Sequence, residues 1–425
     1  MLPQRGLGTP PAFRTPMHFV WTLPRIALRS LIRQPRRTAL ALSAVTFGAV
    51  ALMLASGFID WIFYSMREMT IHAQLGHLQI VRPGYYEAGL ADPLRFLLPR
   101  SDPVADLVRR QPGVVAVAPR LHFAGLASRG DTTISFTAEG VDPVAERKLS
   151  SAITIDQGAA LDDTDPSGVL FGAGLAHNLG VRVGDAVVLM VSTPSGGVNA
   201  VDAKVRGIFS TISKAYDDAA LRAPIGLARK LLRVQGEQTL VVLLDHTSRT
   251  DQVLAALRHL LPPAKFQVTP WYRLADFYNK TVALFSKQLA VVRAIVAVII
   301  VLSIANTMVM AVMERTGEIG TAMALGATRR EVGIQFVVEG IALGLAGGVL
   351  GVVLAFALAS AISAIGIPMP PPPGMAQGYL GQIRLTPALA AEAVALAAVT
   401  ALAASIFPAL KAARMPIVDA LRTNR

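Results

Sequence analysis

Four long apolar runs divide the chain: residues 38–64, 289–312, 332–364 and 389–410. A membrane-crossing helix needs about 20 mostly apolar residues, whereas buried core helices fit runs of about 10–14. Residues 65–281, between the first and second runs, mix polar and apolar positions with turn residues throughout. The pattern predicts an α-helical membrane protein with four transmembrane helices plus a large α+β extracytoplasmic domain between the first and second. The predicted domains are a cytoplasmic arm with an interfacial helix (1–37), transmembrane helix 1 (38–64), an outer domain of two subdomains (65–281) and transmembrane helix 2 (282–312). A short cytoplasmic helix (313–331), transmembrane helix 3 (332–364), an outer Pro-rich linker (365–388), transmembrane helix 4 (389–410) and a cytoplasmic tail (411–425) follow.

Within the outer domain, residues 102–110 read as a helix stopped near Pro112-Gly113. Residues 114–118, 121–128 and 132–140 read as strands, with a hairpin turn at Arg129-Gly130-Asp131. A short helix at 172–179, strands at 186–192 and 200–209, and a strand–helix–strand unit over 239–269 complete the expectation. The segments 102–140 and 239–270 share a pattern and are expected to pack together, with 155–209 inserted between them. Residues 271–298 are amphipathic and then apolar, which predicts one helix running from the domain into the membrane. The third run contains Gly344 and Gly348, a G-x-x-x-G that suits close helix approach, either within the chain or to another subunit. The PMPPPPG stretch predicts an extended spacer.

Composition agrees with this layout: 53% hydrophobic residues, 16% charged and no cysteine in 425 residues. The missing cysteines exclude disulfides and thiolate metal sites. Of the net charge of +12, +10 lies in three short segments, residues 1–37, 313–331 and 411–425. Short loops rich in Lys and Arg stay in the cytoplasm, so both termini and the 313–331 loop are assigned inside and the large domain outside. Charge confined to membrane flanks, with no binding motif, argues against nucleic acid as a partner.

The chain lacks G-x-x-x-x-G-K-[ST], G-x-S-x-G and H-E-x-x-H, so no phosphate loop, hydrolase elbow or zincin site is predicted. No catalytic residue, cofactor or metal site is assigned. His72 and His77 read as ordinary polar residues at the base of the outer domain, and Asp217-Asp218 as an exposed turn. Asn306 and Glu339 are polar groups inside the second and third runs, where a partner is required. Asn306 suits an interhelical hydrogen bond. Glu339 suits either snorkelling to the inner headgroups or pairing with an Arg such as Arg329 or Arg330.

The short loop reads MERTGEIGTAMALGATRRE. Residues 314–325 can wind about three turns, Gly326 is a natural stop, and Ile319, Met323 and Leu325 offer an apolar knob among charges. Such a knob suits docking into a groove on a cytoplasmic partner.

ERTGEIGTAMALGATRREV resembles the signature loop of the FtsX-like permeases, the membrane subunits of a class of ABC transporters. ALRSLIRQPRRTAL before the first run, GHLQIVRPGYY and GLAHNLGVRVGD in the outer domain, and PALKAARMPIVDALR at the end extend the resemblance over nearly the whole chain. The resemblance implies a bacterial inner-membrane permease that pairs with a second permease, identical or not, above an ABC ATPase subunit that binds the ATP. It maps the ATPase-coupling positions onto Glu314, Arg315, Glu318, Ile319, Gly320, Leu325 and Gly326. It implies mechanotransmission, with release of a lipoprotein or other hydrophobic cargo as the first expectation. The alternatives are efflux of drugs or peptides in the manner of MacB and regulation of cell-wall hydrolases.

Overall fold

The computed structural model describes residues 35–89, 92–99, 102–150, 153–211, 213–369 and 379–416. Most of the expected basic arm and interfacial helix, the proline run and most of the tail lie outside these residues. Helix α1, Pro35–Thr70, passes into a π-helical turn at Ile71–Leu75. Gly76 follows with φ 61°, and Gly76 N–H closes the turn on the Ile71 carbonyl.

The region after this turn builds one ten-stranded mixed sheet. Its strands are β1 (Leu78–Val81), β2 (Val114–Arg129), β3 (Thr132–Val141), β4 (Thr154–Gly158), β5 (Gly168–Gly172), β6 (Ala186–Ser192), β7 (Val198–Ser210), β8 (Ala220–Pro224), β9 (Thr239–Leu244) and β10 (Gln267–Pro270). The order is β10-β1-β9-β2-β3-β8-β5-β7-β4, with β6 bridging β2 and β7. The helices are α2 (Asp102–Arg109), α3 (Pro143–Leu149), α4 (Ala173–Leu179), α5 (Ile225–Leu232), α6 (Thr250–Leu260) and α7 (Trp271–Leu274).

The sequence expectation splits β2 in two; the structure runs it as a single strand. Pro119 sits where the strand changes neighbours. Residues 114–120 pair with β9, and pairing with β3 begins only at Arg120. A residue without an N–H is tolerated where the strand has one neighbour. The β2–β9 ladder also joins the 102–140 and 239–270 segments that share a pattern. One apolar cluster packs β1, β2, β9 and β10 against α2 and α6, through Val108, Val242, Leu254 and Leu257. A second packs β2, β3 and β5–β8 against α4 and α5, through Phe136, Phe171, Leu175 and Leu231.

The remaining long helices are α8 (Asp276–Glu314), α10 (Arg329–Ile365) and α11 (Pro387–Ala413), with the short α9 (Thr316–Ala324) between the first two. With α1 they are, among the described residues, the four helices long and apolar enough to cross a membrane. A turn breaks the expected continuous helix from Trp271: Ala275 (φ −84°, ψ 61°) ends α7, and α8 starts at Asp276.

Two compact units result. One holds Ile62–Ala283 with 368–369 and 379–381. The other holds residues 35–61, Leu284–Ile367 and 382–416. In the helical unit the glycines of α10 face the chain's own helices. A Cβ on Gly351 would lie 2.5 Å from the Ala49 Cβ, and one on Gly347 would lie 2.7 Å from the Val45 Cβ. Gly344 and Gly348 meet Ala401 and Ala397 of α11. The G-x-x-x-G is therefore an intrachain packing device.

Candidate functional site

The elbow between α8 and α10 is built from the residues the sequence singles out. Arg315, with φ −95° and ψ 14°, turns the chain out of α8 and into α9. Thr316 Oγ1 donates to the Met313 carbonyl at 2.7 Å, tightening the bend. Gly326 (φ 106°) ends the excursion, and nothing lies near its missing Cβ. Its role is conformational, because a side chain is strained in that backbone region. Thr328 then restarts the helix with a capping box. Its N–H donates to Glu331 Oε2 at 2.8 Å, and its Oγ1 accepts from Glu331 N–H at 3.3 Å. The T-x-x-E spacing carries this cap in the sequence, although the reading above does not use it.

Burial sorts the expected knob. Ile319 and Met323 are buried among Val312, Val332, Phe336, Ala409 and Ala412, so they seat α9 on the ends of the long helices. Gly320 is buried as well. The apolar knob of Ile319, Met323 and Leu325 is thus corrected to one residue. Leu325 is 85% exposed, and Glu314, Glu318, Gly326, Arg329 and Arg330 are exposed around it. The helix repeat explains the split within α9: 319 and 323 share one face and 318 lies off it, while Glu314 and Leu325 flank the helix at its two ends.

Arg315 turns inward. Its Nη1 lies 3.4 Å from Glu339 Oε2, with side-chain exposures of 13% and 5%. Of the two alternatives for Glu339, pairing with an Arg is the one observed, and the partner is Arg315 at the elbow, not the exposed Arg329 or Arg330. Sequence spacing hides this contact because the chain reverses between the two residues. Asn306 is exposed on α8, and the interhelical hydrogen bond expected for it is not among the contacts of the described residues.

The sheet unit holds a separate buried charge cluster. Arg120 contacts Glu146 at 2.6 Å, and Arg222 contacts Glu139 at 2.7 Å and Glu146 at 3.1 Å. Burial raises the Glu139 pKa, but the guanidiniums of Arg222 and Arg120 outweigh it and hold the carboxyl at about 2. Asp217, expected in an exposed turn, is buried and accepts from Thr211 N–H at 3.0 Å and Thr211 Oγ1 at 2.7 Å. These contacts cap a loop. Among the described residues, no group of three His, Asp or Glu side chains is placed to hold a metal.

A cavity of about 430 Å³ is lined by Tyr64, Arg67, Glu68, His72, His77 and residues 244–248. His77 is 1% exposed, and burial, reinforced by His72, lowers its pKa to about 4. His77 is thus a fully buried polar residue at the base of the sheet unit.

The model of the MacB-like periplasmic core domain matches residues 38–260, and that of the FtsX-like permease C-terminal region matches residues 290–417. The macrolide export ATP-binding/permease protein MacB of Rhodospirillum rubrum is 28% identical over 93% of this chain and 59% of its own length. The lipoprotein-releasing system transmembrane protein LolE of Haemophilus influenzae is 23% identical over 55% of this chain and 58% of its own. The chain thus spans about three fifths of the length of these relatives. The periplasmic region of MacB from Actinobacillus actinomycetemcomitans aligns with TM-score 0.37 at 11% identity, covering 50% of this chain and 95% of that one.

Proposed function

Since the chain belongs to the FtsX-like permeases that carry a MacB-like periplasmic core domain, we propose that it is the membrane subunit of an ABC transporter working by mechanotransmission. It sits in a bacterial inner membrane with both termini inside and the sheet unit in the periplasm, and a separate ATPase subunit binds and hydrolyses ATP. The observation that carries the reading is the elbow. A lone exposed Leu325, ringed by Glu314, Glu318, Arg329 and Arg330, stands on a helix whose other face is locked into the bundle. An anchored helix with one projecting apolar residue can pass a push from a docked partner into α8 and α10; a loosely tethered loop cannot.

The cargo proposed first is a lipoprotein or other hydrophobic molecule taken from the outer leaflet. Support comes from the single large domain between the first two helices and from the likeness to LolE. Efflux of drugs or peptides is the second reading, supported by the MacB likeness over 93% of the chain. A second permease completes the complex, and the exposed Asn306 supports that pairing, because an amide facing hydrocarbon needs a polar partner.

Identification of the proteins that copurify with the full chain in mild detergent tests the proposal. An ABC ATPase in stoichiometric amount is expected, with a lipoprotein carrier or a periplasmic adaptor deciding between the cargoes. Purification with a cell-wall hydrolase and no ATPase would overturn it.

A further inference from the structure

His77 lies where the roots of two long helices meet the sheet. Gly76 brings the chain flush against β9, since a Cβ there would lie 2.9 Å from the Val242 carbonyl oxygen. The His77 N–H donates to the Val242 carbonyl at 2.8 Å, and the His77 carbonyl accepts from Trp271 N–H, the first residue of α7, at 3.0 Å. Its backbone therefore joins β9 to the turn that leads into α8.

The imidazole makes the second set of links. Nδ1 accepts from the Leu244 N–H at 3.0 Å. That bond fixes the tautomer: the ring proton is on Nε2, which faces Thr247 Oγ1 at 3.1 Å. Thr247 Oγ1 in turn donates to Glu68 Oε1, on the last turn of α1, at 3.3 Å. Glu68 also receives Arg67 Nε at 3.1 Å and faces His72 Nε2 at 3.6 Å. Every link in the chain from Leu244 to Glu68 has a defined donor and acceptor. Next to this node, Ile71, Val241, Leu243, Trp271 and Ala275 form an apolar seal. A neutral imidazole is required, because a protonated ring has no lone pair for the Leu244 N–H. The charged groups around it are Arg67, Glu68 and His72 on the α1 side and Asp245 on the β9 side.

We infer that His77 is a positioning residue that couples the two helix roots to each other through β9, so that displacement of α1 or α8 is delivered to the sheet as one movement. The inference rests on the mechanical reading proposed above and assigns its joint. A side chain with two opposed hydrogen-bonding atoms, held between three elements, supplies the stiffness that a flexible turn lacks.

Hydrogen exchange of the full-length chain in lipid nanodiscs tests the joint without any ATPase. His77→Leu and the milder Thr247→Val should each speed exchange by about tenfold in both residues 62–76 and 271–283, the factor for losing one hydrogen bond of a buried group. His77→Gln, which retains an acceptor and a donor, should restore most of the protection. Thr247→Val removes only a hydroxyl, so it reports even if His77→Leu fails to fold. Faster exchange in one root alone, or unchanged exchange in Thr247→Val, would overturn the inference. A second arm labels Val198→Cys, a 74% exposed site, and follows its accessibility with and without ATP and the copurified ATPase. If the wild type shows no nucleotide response while both roots still loosen together, the transporter reading fails and the joint stands. If the wild type responds and the response is unchanged in Thr247→Val, the joint is refuted.

Discussion

Arg315 and Glu339 are 24 residues apart in the chain and meet at 3.4 Å, tying the elbow of α8 to the third turn of α10. The contact makes the elbow part of the bundle. A push delivered at α9 reaches α8 through the backbone and α10 through this pair.

Removing one partner leaves the other charge buried without it, and breaking such a pair costs about 3–5 kcal/mol. Arg315→Leu and Glu339→Leu alone should each lower the detergent-solubilised melting temperature and reduce ATPase association. The double replacement with leucine should recover part of the stability, because both charges of the pair leave the site together. Differential scanning fluorimetry of the three variants checks this. Equal melting for single and double variants would show that the pair contributes nothing.

Leu325→Asp and Ile319→Asp should part company. Leu325 is exposed, so an aspartate there disturbs only what docks on it: expression and melting stay at wild-type values, and ATPase pull-down falls by at least about tenfold, the loss expected for a hot-spot contact. Ile319 is buried against Val332 and Phe336, so an aspartate there costs several kcal/mol through burial of a charge. It should reduce the folded yield itself. Pull-down together with melting separates the two outcomes.

Apolar run length made the four long helices legible in sequence, and strand-forming stretches between turn residues revealed β3, β6, β7, β9 and β10. The same rules passed over β1, β4, β5 and β8, four or five residues each, which are too short to show a period; Gln79 and Arg222 also interrupt the apolar pattern of β1 and β8. At the elbow, sequence identified the helix, its glycine stop and its charges. It could not tell which apolar residues face the bundle, because Ile319, Met323 and Leu325 all lie within two turns and only the seating of α9 distinguishes them. The Arg315–Glu339 contact and the His77 node depend on chain reversals that no local spacing encodes.

Acid should weaken the sheet unit in two steps. The His77 pKa is about 4 in the fold against 6.5 ordinarily. Between these values the unfolded chain carries the proton and the fold does not, so stability rises with pH across that window and is lost as pH falls through it. Glu139 is held at about 2 against 4.5 ordinarily. Its contribution is complete above 4.5 and lost as pH falls towards 2. Each shift corresponds to about 3 kcal/mol. Tryptophan fluorescence during denaturant titration from pH 7 to 2 should follow both steps. His77→Gln should flatten the upper step, and Glu139→Gln the lower.

Enlarging the glycines of α10 should act on the fold of one chain. Gly351→Val places a branched side chain where the Cβ already meets Ala49 at 2.5 Å, and overpacking of this kind costs about 1–3 kcal/mol. Lower melting with an unchanged ratio of dimer to monomer in native mass spectra is expected. A shift towards monomer at unchanged melting would place these glycines between subunits instead.

Asn306 should act between chains. It lies eight residues before the end of α8, about 12 Å along the helix axis, too deep for its short side chain to reach water at the inner surface. It falls on an exposed stripe with Ile295, Ile299, Leu302, Met310 and Met313, which hydrocarbon can cover at every position except the amide. A second permease bearing a polar residue at the same depth satisfies it, and interhelical bonds of this kind contribute about 0.6–2 kcal/mol. Asn306→Val should therefore leave monomer melting unchanged and weaken pairing by about threefold to thirtyfold, measured by dilution in detergent micelles. The cysteine-free chain allows a direct check of whether the partner is an identical copy. Asn306→Cys should form a disulfide-linked dimer on oxidation, whereas Val353→Cys, 63% exposed on α10, should not. A dimer from Val353→Cys alone would move the pairing surface to α10, and no dimer from either, alongside unchanged pairing in Asn306→Val, would leave the amide without a role between subunits.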